Sequence, residues 1–363
     1  MAFKNFPMVP FVVYGRGSFA QLGDIIRPHR QEGKPFIYFV DNCFRDRNDF
    51  LGRIPMEGND EIILVDVNPH EPSTWQVDSY RDYLKEKYGE VSGLVGMGGG
   101  AVMDITKAVS LMMTNPGSAA DYQGWDLVKY PGIYKVGIPT LSGTGAEVSR
   151  TAVLIGPEKK LGLNSDFTPF RQVVLDPELI KGVPPLQRFY TGMDNYLHCI
   201  ESLTGSYMNV FSKAYGEKAF QMCHHVFFEK ETWDEQSDEE LMMASWMGGM
   251  SIAYSQVGII HAMGYGLGFA LGVRHGEGNS LIFNQLEEFY PKEVAEYRKL
   301  LEKMEKVYGI TLPAGVTADC TEEQFDTMVR VASGMTPLWE NALGKDWQKI
   351  MTPDKMREIF RRI

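Results

Sequence analysis

Short apolar runs punctuate the first half of the chain. Phe36–Val40 (FIYFV), Glu61–Val65 (EIILV), Gly93–Val95 and Val136–Ile138 each end in turn residues and read as strands. The segments between them, such as Thr74–Tyr88, carry helical periodicity and many charges. Strands alternating with helices imply a parallel sheet covered on both faces. After Asp176-Pro177 and the Pro184-Pro185 pair the texture changes. From Gln187 onward the chain is rich in Met, Ala and Glu at helical spacing, with almost no strand-like alternation. The pattern predicts an α/β domain over 1–183 and an all-α domain over 184–363. There is no internal repeat and no low-complexity tract.

One apolar stretch, Ser251 to Val273, is about as long as a membrane span. It nevertheless holds His261, Gln256, hydroxyl groups near its start and five glycines. Polar groups of this kind are expensive in lipid, so the stretch is expected to be a buried pair of helices in a soluble domain.

Composition narrows the picture further. With 363 residues, 44% hydrophobic and 23% charged, the chain suits two globular domains with full cores. A formal net charge of -11, with no dense Lys/Arg run, excludes nucleic acid and an anionic membrane surface as expected partners. Cys43, Cys199, Cys223 and Cys320 form no C-x-x-C pair and are expected to be reduced thiols of a cytoplasmic protein. The first residues lack the basic, apolar, small-residue order of a signal peptide.

Two turns carry candidate cofactor chemistry. Gly93–Asp104 (GLVGMGGGAVMD) runs from a strand into a helix, and three successive glycines let a backbone approach a phosphate at the helix N-terminus. Asp41 follows the first strong strand, where a carboxylate can meet a ribose hydroxyl and repel a 2′-phosphate, favouring NAD over NADP. The alternatives are a tight turn with no ligand for the glycines and a helix N-cap for Asp41. A second turn, Pro139–Glu147 (PTLSGTGAE), combines glycines and small hydroxyl residues suited to a pyrophosphate or ribose. It is expected to precede a helix, with a plain capped loop as the alternative.

The seven histidines are unevenly placed. His29 and His70 neighbour prolines in polar segments and read as surface residues, while the adjacent His224 and His225 point in different directions on a helix. Asp194 and His198, four apart, share one helix face. His261 sits within the apolar stretch, and His275 follows fourteen residues later. An aspartate and histidines in apolar helices are costly unless something compensates. A divalent cation would do so, since one carboxylate and three imidazoles suit Fe(II) or Zn(II). The alternative is that each is a satisfied core residue.

These motifs together resemble one family. Gly98-Gly99-Gly100-x-x-x-Asp104, Pro139-Thr140-x-x-Gly143-Thr144-Gly145-x-Glu147, Asp176-Pro177-x-Leu179, Asp194-x-x-x-His198 and His261…His275 are similar, in order and spacing, to iron-containing (group III) alcohol dehydrogenases over nearly the whole chain. The resemblance implies a Rossmann-like nucleotide-binding domain and a helical metal-binding domain, the architecture shared with dehydroquinate synthases, with the active site in the cleft between them. It implies Asp194, His198, His261 and His275 as ligands of Fe(II) or Zn(II). It places Asp41, Gly98, Gly99, Gly100, Asp104, Thr140, Leu141, Thr144, Lys160 and Leu179 where the family contacts NAD. Many members carry a second histidine four residues after the one matching His261. Here that position is Tyr265, a candidate catalytic residue but a poor proton acceptor at neutral pH, a tyrosine pKa being about 10.

Segments such as SLMMTNPGSAADYQGWDL, KLGLNSD and LMMASWMGGMSIAYSQVG resemble the subgroup that oxidises the terminal C8 hydroxyl of 3-deoxy-D-manno-octulosonate (Kdo) for lipopolysaccharide carrying an 8-amino sugar. An acidic sugar needs a cationic partner, for which Arg150 and Arg274 are candidates. The alternatives are a dehydrogenase of another small alcohol or polyol, and a lyase of the dehydroquinate synthase kind. A homodimer is the ordinary expectation for such an enzyme.

Overall fold

A computed structural model of the chain describes residues 8–67 and 71–363, so the expectation for His70 lies outside the described residues. The chain divides into two compact units. The first comprises residues up to Leu141 together with Gly145–Lys181; the second comprises Ser142–Thr144 and Gly182–Ile363. The main change therefore falls between Lys181 and Gly182, and a three-residue loop of the first half clusters with the second unit.

The first unit is built on a six-stranded parallel sheet of β1 (Phe11–Tyr14), β2 (Phe36–Asp41), β3 (Glu61–Val65), β4 (Gly93–Gly98), β6 (Lys135–Pro139) and β9 (Gln172–Leu175). The strand order is β1-β9-β6-β4-β2-β3. Strands β4, β6 and β9 are buried along their whole length and β2 at all but its last residue, as expected when helices cover both faces of a parallel sheet. From β2 the chain moves outward to β3 and then returns to place β4 on the other side of β2. The carboxyl ends of β2 and β4 thus flank a topological switch point, where open α/β sheets bind ligands. The short helices α1 (Leu22–Ile26) and α2 (Asn48–Leu51) and the longer α3 (Thr74–Tyr88) and α4 (Gly100–Met112) belong to this unit. A buried cluster including Phe19, Phe36, Tyr38, Val95, Ile138 and Val174 packs about the sheet.

A small three-stranded sheet has the order β5-β8-β7, from β5 (Gly124–Trp125), β7 (Val153–Ile155) and β8 (Lys160–Asn164). Here the structure corrects an expectation: no helix follows the Pro139–Glu147 turn, and the next element is β7. The physical reason is the buried Lys107 of α4, whose Nζ takes the Ala146 carbonyl at 2.8 Å and the Thr151 carbonyl as well. Those carbonyls are held by a lysine from another element, and the chain is drawn across α4 into the β7–β8 hairpin.

The second unit is helical. It contains α5 (Pro185–Thr204), α6 (Val210–His224), α7 (Glu235–Tyr254), α8 (Ile259–Leu271), α9 (His275–Phe283), α10 (Pro291–Tyr308) and α11 (Glu322–Ser333), with shorter helices beyond. The apolar stretch Ser251–Val273 resolves into the end of α7 and the whole of α8. Among the described residues no helix is long and apolar enough to cross a membrane. The Ser142–Thr144 loop is pinned here by the Gly143 N–H, which donates to Ser245 Oγ of α7 at 2.9 Å.

Asp176, fully buried after β9, closes the first unit. Its Oδ1 accepts the N–H groups of Gly17 and Glu178, and its Oδ2 accepts that of Phe19, each at 3.0 Å. Asp176→Ala leaves three N–H groups without this acceptor, and a buried orphan costs about 1–3 kcal/mol. The expected loss is about 3 kcal/mol of stability for this unit, read from the urea midpoint. A loss below about 1 kcal/mol would show that water replaces the carboxylate.

Candidate metal centre and cofactor edge

Helix α5 carries Asp194, His198 and Glu201 at spacings of four and three, so all three lie on one face, and all are buried. The chain brings His261 of α8 and His275, the first residue of α9, to the same place. One ligand atom from each of Asp194, His198, His261 and His275 can be chosen so that all lie within 4.8 Å of one another. Asp194 is central: its carboxylate is 3.6 Å from His198 Nε2, 3.5 Å from His261 Nε2 and 3.7 Å from His275 Nε2. These separations are too long for hydrogen bonds. Ligands about 2.1 Å from a shared tetrahedral cation are about 3.4 Å apart, and each imidazole Nε2 lies near that distance from one of the Asp194 oxygens, Oδ2 for His198 and Oδ1 for His261 and His275. Asp194 Oδ2 and His261 Nε2 are buried with no hydrogen-bond partner among the described residues. The donor set, its spacing and these unsatisfied atoms fit Fe(II) or Zn(II).

The electrostatics agree. Burial disfavours an ionised carboxylate, yet the surrounding imidazoles of His275, His198 and His261 hold Asp194 well below the usual carboxylate range. Burial pushes His198 down to about 3, leaving a neutral imidazole with a lone pair to give. Burial also opposes charge on His261, but the Glu201 carboxylate outweighs it, and His261 rises to about 9. Glu201 Oε2 is 2.5 Å from His261 Nδ1, while Oε1 accepts the Ile260 N–H at 2.7 Å. Glu201 fixes a proton on Nδ1, so Nε2 is the nitrogen turned to the cluster and binds an ion once its own proton has left.

Sequence reasoning overlooked Glu201 and Asn279. Both had a signal: Glu201 lies seven residues after Asp194 in an apolar run of α5, and Asn279 lies four after His275. Tyr265 stacks on His275, with ring centroids 5.7 Å apart and planes at 27°.

The residues expected at NAD divide into two sets. Val40 is level with Met97, and Gly98 with Pro139, so Asp41, Gly98 and Thr140 gather at the carboxyl edge of the sheet. Asp41 also caps the short turn after β2 by accepting the Cys43 N–H at 3.0 Å. A Cβ on Gly98 would lie 2.6 Å from Val102 Cγ2 and 3.0 Å from Asp41 Cβ, so only glycine fits. Gly99 caps α4, Gly100 opens it, and Leu141 packs over Gly99. The N-terminus of α4 and an acidic residue therefore meet at the switch point, which fits the pyrophosphate and ribose of NAD.

The rest hold partners elsewhere. Asp104 pairs with Lys107 at 3.0 Å and accepts the Val153 N–H at 3.0 Å. Lys160 pairs with Glu71 at 2.5 Å, Leu179 is part of the buried cluster, and Thr144 falls in the second unit. Arg150, expected as a possible anion partner, bridges Asp126 and Asp166 at 2.7 and 2.8 Å. Arg274 is exposed immediately before α9.

Family models match both halves of the chain: iron-containing alcohol dehydrogenase over residues 10–177, and the C-terminal part of the Fe-containing alcohol dehydrogenase family over 188–335. The chain belongs to the iron-containing alcohol dehydrogenase family. Alcohol dehydrogenase 4 of Schizosaccharomyces pombe is 28% identical over 64% of this chain and 56% of its own length. An iron-containing alcohol dehydrogenase from Thermotoga maritima shares the fold, with a TM-score of 0.79 and 23% identity over 99% of both chains. So does sulfoacetaldehyde reductase from Bifidobacterium kashiwanohense, solved with NAD+, with a TM-score of 0.79 and 21% identity over 99% of this chain and 98% of that one. Membership in an iron-containing family matches the chemistry of the Asp194–His198–His261–His275 cluster.

Zinc binding at Nε2 must displace the proton that a raised His261 pKa keeps there, so binding releases a proton. Apparent zinc affinity is expected to rise roughly tenfold per pH unit between about 6.5 and 8.5, below the His261 value. Glu201→Gln is expected to flatten that slope, read by chelator competition. An identical slope in the variant would separate Glu201 from the metal.

Proposed function

We propose that the chain is a metal- and NAD-dependent oxidoreductase that oxidises a primary hydroxyl of a small acidic sugar to the aldehyde, the C8 hydroxyl of Kdo being the substrate its segments favour. The single observation that carries the reading is the convergence of one carboxylate and three imidazoles in a buried site. Asp194, His198, His261 and His275 would hold a divalent cation, which would supply Lewis acidity to a substrate hydroxyl. The edge formed by Asp41, Gly98 and the N-terminus of α4 would hold NAD, which would supply the hydride acceptor.

The chain's own residues do the positioning. Asp194, His198, His261 and His275 fix the place of the hydroxyl oxygen, and Glu201 keeps the His261 proton on Nδ1, away from it. Tyr265, stacked on His275, presents a phenol beside the cluster and acts as a hydrogen-bond donor to the substrate. Of the two arginines, Arg150 is already balanced by two carboxylates. Arg274, exposed and next to His275 at the start of α9, is assigned to the substrate carboxylate on its position beside the cluster. Sulfoacetaldehyde reductase, a relative in fold, is named for a substrate that is likewise an anion.

The test strips the metal, restores Fe(II) or Zn(II) separately without oxygen, and offers Kdo or simple alcohols with NAD. Aldehyde from Kdo, formed only with metal, is the expected result. Turnover of simple alcohols alone would sink the sugar assignment, and turnover of neither would sink the reading. Tyr265→Phe is expected to lower kcat on the order of 100-fold with metal content unchanged; an unchanged kcat would remove Tyr265 from the chemistry.

A further inference from the structure

The two oxygens of Asp194 meet different surroundings. Oδ1, which lies 3.5 and 3.7 Å from His261 and His275 Nε2, accepts a hydrogen bond from Asn279 Nδ2 at 2.7 Å, while Oδ2, 3.6 Å from His198 Nε2, is buried without a hydrogen-bond partner among the described residues. Asn279 is itself fully buried, one turn after His275 on α9, and its Nδ2 lies 3.3 Å from His275 Nε2. The carboxylate decides which way the amide turns, since only the NH₂ end can face an anion. The amide oxygen then points at α8. A Cβ on Gly264 would lie 1.9 Å from Asn279 Oδ1, so the amide occupies space that any other residue at 264 would fill. Gly264 is three residues after His261 on α8. A single amide on α9 therefore bonds the carboxylate of α5 and packs its oxygen, which has no hydrogen-bond partner among the described residues, against Gly264 of α8.

We infer that Asn279 is a positioning residue that fixes the rotation of the Asp194 carboxylate, and that Gly264 exists to seat it. An oxygen already engaged by an amide proton is a weaker second ligand, so the locked carboxylate gives one strong oxygen. A four-atom set of that kind fits a small tetrahedral ion. A carboxylate free to rotate offers both oxygens and accommodates larger ions that accept bidentate carboxylates and higher coordination. Asn279 and Gly264 thus set which ion the site prefers, an inference that rests on the metal-dependent reading above.

The experiment compares Asn279→Leu and Gly264→Ala with the unmodified protein. Neither change replaces a ligand, and Gly264→Ala displaces the amide without altering it. Zn(II) and Mn(II) affinities are measured by chelator competition, and the metal-free protein is refilled with Co(II) to record its visible absorption. Both variants are expected to lose about 10–100-fold in Zn(II) affinity, to narrow the Zn(II)-over-Mn(II) preference, and to lose the intense absorption of tetrahedral Co(II). Circular dichroism checks folding, and Asn279→Leu carries the result if Gly264→Ala does not fold. Unmodified Zn(II) affinity, ion preference and Co(II) spectrum in Asn279→Leu would overturn the inference alone. Failure of the unmodified protein to bind any of the three ions would instead overturn the metal-dependent reading itself.

Discussion

The structure of the second unit turns on one buried negative charge. Asp194 lies out of reach of water, with its carboxylate 3.5–3.7 Å from three imidazoles. Burial of a lone carboxylate is costly, and among the described residues one amide hydrogen bond, from Asn279, relieves it. Three helices are brought together around this charge, each contributing to the cluster: α5 gives Asp194 and His198, α8 gives His261, and α9 gives His275. A divalent cation turns the same burial from a penalty into a binding energy, because ligand burial excludes competing water and keeps the donors ordered. Glu201 extends the network one step further by fixing the tautomer of His261.

The first unit follows a different constraint, the tight turn between β4 and α4. Its sheet places β2 beside β4 at the point where strand order reverses, and the last residue of β2 is an aspartate. Gly98 has no room for a side chain because Val102 and Asp41 press against it. The tightness of that turn sets the N-terminus of α4 at the sheet edge. The same helix carries the buried Lys107, which gathers the carbonyls after the second turn. Cofactor edge and internal scaffold are thus two faces of α4.

Much of this was legible in the chain because its signals are local. FIYFV and EIILV became β2 and β3, and the charged periodic segment became α3 from Thr74 to Tyr88. The Asp194–His198 spacing gave a shared helix face directly. What escaped depends on distant partners. Strand β1 has exposed residues and only four positions, and β7, β8 and β9 have three to five residues each, too short for periodicity to speak. The helix expected after Glu147 is absent because a lysine forty residues earlier in the chain takes its carbonyls. Arg150 looked available until Asp126 and Asp166 appeared beside it in the fold. Glu201 and Asn279 were legible by helical spacing, but their meaning came only from seeing what each touches.

The account stands most directly on the claim that the four side chains share one ion. X-ray absorption at the zinc edge of the zinc-loaded protein measures this without reference to turnover. The predicted result is a first shell of about four nitrogen or oxygen ligands near 2.0–2.1 Å with the multiple scattering of three imidazoles, lost when His261→Ala and His275→Ala are combined. A shell of water oxygens with no imidazole scattering, unchanged in the double variant, would contradict it.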